Sequence, residues 1–92
     1  MDAHIAIPRM LFRYAELIDA GDLAGAAALF DHAVIKLAQG FETDGAGLLA
    51  VWRERVVIHS CGTPRTRHLV TNPIMEADEE AGTASCRSCY TV

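Results

Sequence analysis

The sequence predicts an α+β domain, on three observations. Apolar residues recur at helical spacing through the first half. Capping residues and a glycine divide that half into three helices. The last third alternates apolar and polar residues around one polar turn. The helices come first, and the antiparallel pair that follows is expected to fold its apolar face over them.

Ile7, Met10, Leu11, Tyr14, Leu17 and Ile18 share one helical face, with Arg9, Arg13 and Glu16 opposite. Pro8 suits a first turn, so the predicted helix runs from about Pro8 to Ala20 and is closed by Gly21. Asp22 can cap a short second helix whose apolar face is Leu23, Ala26, Ala27 and Phe30. Residues 33–38 form a β-type run, followed by Gly40 and a short return strand at Phe41 and Glu42. Asp44 can cap a third helix carrying Leu48, Leu49, Trp52 and Val56, predicted to end between His59 and Gly62. Residues 66–77 read as one strand, with His68, Val70, Asn72 and Ile74 on one face and Arg67, Leu69 and Thr71 on the other. Residues 78–82 are a polar hairpin turn, and residues 83–92 its antiparallel partner.

With 92 residues there is room for one small core, so residues 1–92 are read as a single domain. A hydrophobic fraction of 51% and a charged fraction of 22% exclude intrinsic disorder. Eight Lys+Arg against twelve Asp+Glu leave a net charge of -4, and no stretch supplies a basic face, so no nucleic-acid partner is expected. No apolar run approaches the ~20 residues that span a bilayer. The first five residues also lack the basic and apolar regions of a signal peptide. No membrane partner and a cytoplasmic location follow as expectations, with Cys61, Cys86 and Cys89 as reduced thiols. Cys86-Arg-Ser-Cys89 has zinc-knuckle spacing, and His59 and Cys61 would complete four ligands. Residues three apart on a strand, however, point to opposite faces, so neither metal nor cofactor is expected. Nothing near the thiols in sequence predicts a lowered pKa, which argues against a thiol nucleophile.

The stretch from Tyr14 through Asp19-Ala-Gly-Asp22 to Phe30 resembles the opening helices of SnoaL-like domains in the nuclear-transport-factor-2-like superfamily. Arg65-Thr-Arg-His-Leu-Val-Thr-Asn72 is similar to their central strand, and residues 84–92 to the strand after it. The resemblance implies three N-terminal helices packed in the concave face of a curved antiparallel sheet. That arrangement is a cone-shaped, cystatin-like roll around an apolar pocket. It also implies strands beyond Val92, so the C-terminal strands of the roll are expected to be missing. The superfamily includes scytalone-dehydratase-like enzymes, polyketide cyclases, ketosteroid-isomerase-like enzymes, ring-hydroxylating-dioxygenase small subunits and pure binding proteins. Function therefore rests on the site.

His68 is the leading candidate for chemistry, because a neutral imidazole in an apolar concavity can take a proton from an acidic C–H or from water. The resemblance matches it to a catalytic base of the dehydratase-like enzymes; the alternative is a core histidine bonded to a neighbour. Asp19 ends the first helix, where the macrodipole disfavours a carboxylate, so a compensating partner is expected. Orienting His68 would supply one, and the resemblance matches Asp19 to the aspartate of those enzymes; the alternative is a solvated turn residue. Ile18, Ala38 and Ser88 stand where that pattern has two tyrosines and a second histidine. Tyr14, Trp52, Val70, Asn72, Ser88 and Tyr90 are the candidate substrate-positioning or pocket-lining residues.

Two functions follow. One is a cofactor-independent dehydratase, isomerase or cyclase acting on a small apolar or aromatic organic molecule, with His68 and Asp19 as its acid–base pair. The other is a non-catalytic ligand-binding or subunit-interaction module. An unpaired edge on the last strand, carrying Cys86, Tyr90 and Val92, predicts a homodimer or higher homo-oligomer in either case.

Overall fold

A computed structural model describes residues 2–92. The elements are α1 (Ala3–Asp19), α2 (Leu23–Ala28), β1 (Ile35–Lys36), a 3-10 turn at Ala38–Gly40, β2 (Glu42–Thr43), α3 (Gly45–Arg55), β3 (Leu69–Asp78) and β4 (Thr83–Thr91). β1 pairs antiparallel with β2, and β3 with β4, so the α+β class and the order of its elements hold.

α1 begins five residues before Pro8. Asp2 is extended and its side chain accepts the His4 N–H at 2.7 Å, which starts the helix at Ala3. Pro8 therefore lies inside α1, where it has no N–H to give the His4 carbonyl; the first-turn placement of this proline is corrected. The C-terminal end follows the sequence expectation. Gly21 sits at φ +85°, its N–H reaches the Ile18 carbonyl at 2.9 Å, and the Asp22 N–H reaches that of Leu17 at 2.9 Å. A Cβ at Gly21 would lie 2.1 Å from the Gly62 carbonyl oxygen. Glycine here thus serves two ends, the left-handed cap and the close passage of residues 59–63. That passage brings the segment leading into β3 alongside Asp19.

Asp22 caps α2 through the Gly25 N–H at 2.8 Å, and Asp44 caps α3 through the Gly47 N–H at 2.8 Å. Ile18, Leu23 and the fully enclosed Ala26 form the core, with Tyr14, Leu17, Leu49, Trp52 and Val56 packed around them. The core thus sits among the three helices, and α1 is the helix that packs along β3. α3 stops at Arg55, earlier than predicted. Val56-Val57-Ile58 is a β-branched run with a poor fit to helix, and Val56 is already extended at φ -82°, ψ 122°. A turn closed by the His59 N–H on the Thr63 carbonyl at 2.9 Å follows.

β3 departs from its expected form at both ends of its first half. Residues 66–68 precede the paired strand, since the ladder starts at Leu69 opposite Thr91. Between Thr71 (opposite Cys89) and Ile74 (opposite Arg87) β3 carries one residue more than β4, a bulge centred on Asn72 and Pro73. Asn72 sits at φ 52°, a left-handed conformation that asparagine tolerates better than most residues. The extra residue reverses the alternation. Val70, Pro73 and Met75 are the half-buried residues of β3, while Asn72 and Ile74 are exposed. The expectation that Asn72 and Ile74 share a face with His68 and Val70 is therefore corrected: a strict two-residue period cannot anticipate a bulge.

Candidate functional site

The site is made where the C-terminal end of α1 meets the segment entering β3. The Asp19 carboxylate receives three hydrogen bonds from that segment. Its Oδ1 accepts from the His68 ring Nδ1 at 2.7 Å and from the Thr66 hydroxyl at 2.8 Å; its Oδ2 accepts the His68 backbone N–H at 2.8 Å. The side chains of His68 and Asp19 are 14% and 19% exposed, so the pair is largely shielded from water. Burial pushes the Asp19 carboxyl up, but the bonds from the His68 ring, the His68 N–H and Thr66 together outweigh it and hold the group below its ordinary value. An ionised carboxylate only accepts hydrogen bonds, so Nδ1 carries a proton, and in the neutral ring Nε2 is the nitrogen with the lone pair. Nε2 has no hydrogen-bond partner among the described residues.

Tyr14 lies one turn and a half before Asp19 and gathers the aromatic residues. Its ring meets Phe30 edge-on at 5.9 Å between centroids, Trp52 at 6.0 Å and the His68 imidazole edge-on at 6.1 Å. Burial pushes the Tyr14 phenol up, and the Tyr90 phenol and the Asp19 carboxylate push it further. His68 and Asp19 also line an open groove of about 670 Å³, bordered by Phe12, Glu16, Arg67 and Val70. A second groove of about 730 Å³ adjoins it along α1, sharing Phe12 and Glu16 and reaching Arg9, Arg13 and Leu29. Its Arg13 is paired with Glu16, and it holds neither a histidine nor a buried carboxylate.

Of the residues singled out in the sequence, Asp19, His68, Tyr14, Trp52 and Val70 converge on this region. Tyr90 stands opposite Val70 in the ladder, which puts both on the same face of the sheet, and it is 74% exposed. Asn72 and Ser88 lie at the bulge and are exposed, and neither lines the groove beside His68. Cys86 pairs with Met75 and Cys89 with Thr71 along an unbroken β4, which sets the two thiols on opposite faces.

Sequence reasoning passed over two residues. Thr66 was one; in extended chain it shares a face with His68, and that two-residue spacing is the signal that would have found it. Cys61 was the other, and the expectation that no thiol here is perturbed is corrected. The Thr63 hydroxyl 3.3 Å from its sulfur, the Thr63 backbone and the Arg65 side chain hold the exposed Cys61 thiol below its ordinary value. The tight turn at residues 59–63 brings these groups together.

No helix among the described residues is long and apolar enough to cross a membrane. Comparison with curated proteins and with solved structures yields no match. The family model described as the SnoaL-like domain matches residues 1–92. Helices, caps and the Asp19–His68 segment thus fall within one continuous match, and the chain belongs to the SnoaL-like family.

Proposed function

We propose that this chain binds a small apolar or aromatic organic molecule beside Tyr14 and His68 and moves a proton on it by general acid–base catalysis. The observation that carries the reading is the shielded 2.7 Å bond between the His68 ring and Asp19 at the wall of a groove. With Nδ1 donating to the carboxylate, Nε2 is the free base. It takes a proton from a carbon next to a carbonyl, and Asp19 stabilises the imidazolium that forms. The proton then returns to carbon or to a departing hydroxyl, which gives isomerisation, cyclisation or dehydration with no group beyond the chain's own. Phe12, Leu69 and Val70 supply the apolar wall of that groove, while Tyr14 packs on the imidazole with Trp52 against it, and Tyr90 stands across the ladder from Val70.

Exchange of the acidic protons of β-tetralone in heavy water, followed by proton NMR, tests the reading. Acceleration by the protein that is lost in His68→Ala supports it. Binding of the ketone without accelerated exchange overturns it in favour of a non-catalytic ligand-binding module, a reading to which the openness of the groove is the favouring observation.

We also infer a homo-oligomer, from area. A compact monomer of 10.0 kDa exposes about 5,200 Å², and this chain exposes 6742 Å². The excess, about 1,500 Å² on one chain, is roughly twice the ~800 Å² that a standard interface removes from each partner, so one such contact fits within it. The radius of gyration agrees: 14.3 Å against about 12 Å for a compact chain of this length. Leu69, Ile74, Tyr90 and Val92 are each about half exposed or more, and they lie on the hairpin. A second copy covering the hairpin is the occupant proposed; light scattering that finds a monomer at micromolar concentration overturns it.

A further inference from the structure

We propose that Thr66 is a positioning residue for the Asp19–His68 pair: its hydroxyl and the His68 backbone N–H grip the two carboxylate oxygens and hold Oδ1 toward the imidazole. The inference rests on the acid–base reading above and adds to it the group that fixes the carboxylate.

A carboxylate at a helix end turns about two side-chain bonds, and one hydrogen bond to a ring that itself turns does not fix either. Here the other two donors come from backbone-anchored positions. The His68 N–H is part of the chain, and the Thr66 hydroxyl is one bond from its Cβ, whose rotamers are restricted by branching. Both segments are held in turn. Pro64 is buried and locks its own φ, while Gly62 lies against Gly21 so closely that no side chain fits between them. The hydroxyl at 2.8 Å can only donate, because the ionised carboxylate offers no proton. Oδ1 is thus shared between Thr66 and the ring. Sharing reduces the basicity of that oxygen and keeps the proton of the pair on Nδ1, which leaves Nε2 free to accept. The position of Asp19 adds weight. The C-terminal end of a helix is the wrong end for an anion, so each donor removed there exposes the carboxylate to an unfavourable dipole. Glu16 and Arg67, the other charged residues at this groove, make no hydrogen bond to Asp19.

The test compares Thr66→Val, Thr66→Ala and Thr66→Ser in the full chain. The first readout is the titration of the Asp19 carboxyl by carbon-detected NMR. The expected result is an upward shift in the Val and Ala variants and none in the Ser variant, which keeps the donor. The second is the tautomer of His68 from its imidazole nitrogens, with the Nδ1–H form losing population in Val and Ala only. The third is β-tetralone exchange, expected to fall about tenfold in Val and Ala with ketone binding unchanged, the size of one lost charge-assisted bond. Alanine serves as the check should valine disturb folding. An Asp19 titration and a His68 tautomer unchanged in both Val and Ala overturn the inference. If the unaltered protein exchanges no protons, the acid–base reading fails, and the two NMR readouts still decide the role of Thr66.

Discussion

At its Leu69 end the β3–β4 hairpin is tied to α1 through side chains far apart in sequence: Asp19 takes bonds from Thr66 and His68, and Tyr14 packs on the imidazole. At the Asp78–Thr83 end the same hairpin passes the start of α1, where Asp2 and Ala3 share a shallow groove with Ala77 and Ala84. No hydrogen bond joins them there among the described residues; Asp2 spends its carboxylate on His4, and Asp78 on the Ala81 N–H. Two strands of similar composition are therefore held at one end by a shielded polar network and merely laid down at the other. Backbone pairing gives the hairpin its form on both sides of the bulge, and the network adds a directional tie to α1 at one end that the other end lacks. The candidate site occurs at the fixed end, where the proposed acid–base chemistry would need its groups held in place.

The largest effect expected from breaking this contrast is at Asp19. Asp19→Ala leaves the His68 N–H and the Thr66 hydroxyl without their acceptor in a shielded place, a loss of about 3 kcal/mol in urea unfolding. Removing the corresponding cap at the far end, Asp78→Ala, touches one exposed bond and is expected to change stability by less than ~1 kcal/mol. Equal losses at the two ends would dissolve the distinction. Next is Gly21→Ala. A left-handed alanine costs roughly 1–2 kcal/mol, and the Gly62 carbonyl must also move to admit the methyl group. The backbone NMR shifts of residues 62–68 are expected to change with it, while those of residues 78–83 stay in place.

Acid sharpens the comparison further. The Asp19 carboxyl is held below its ordinary value in the folded chain, so its contribution is present above the unfolded carboxylate range, about pH 4, and is lost as pH falls through the folded value. Urea midpoints measured across that range should fall less steeply in Asp19→Asn than in the unaltered protein. Asp2 is likewise held low, chiefly by the His4 backbone N–H, but it is common to both proteins and cancels in the difference. Identical slopes would mean that the network adds nothing to folding.

What could be read in the sequence divides along the same line. Local signals were reliable: Asp22 and Asp44 as caps, Gly21 as a stop and residues 78–82 as a turn depend on neighbours in the chain. The pairing of Asp19 with His68 was legible for a different reason. A carboxylate at the unfavourable end of a helix needs a partner, and the resemblance to SnoaL-like domains matched Asp19 and His68 to an acid–base pair. Bulge, helix length and Cys61 were not legible in that way. The bulge at Asn72 and Pro73 arises from a one-residue mismatch with β4, which no single strand records. Pro8 misled because Asp2 captured the His4 N–H and started the helix upstream. Cys61 gains its neighbours only through a turn whose closure depends on Thr63.

The smallest effect expected is on the exposed part of the hairpin, and it distinguishes its own geometry from its setting. Ile74 lies beyond the bulge, 48% exposed, on the face opposite to Val70 and Met75. In an isolated chain, Ile74→Thr keeps a β-branched residue in the strand and removes little buried area, so unfolding should change by no more than ~0.5 kcal/mol. Val70→Thr at the fixed end places a hydroxyl among half-buried apolar neighbours and should cost about 1 kcal/mol or more. In an oligomer that covers the hairpin, the order changes. Ile74→Thr then weakens the contact between copies, and its effect depends on protein concentration, which that of Val70→Thr does not to the same degree. Urea curves for both variants at two concentrations, a hundredfold apart, therefore read two things at once. A concentration-independent, near-zero effect at Ile74 keeps the bulge assignment and removes this face from any interface. A large effect at Ile74 that does not vary with concentration places the residue inside the fold and overturns the reversal of faces at Asn72 and Pro73.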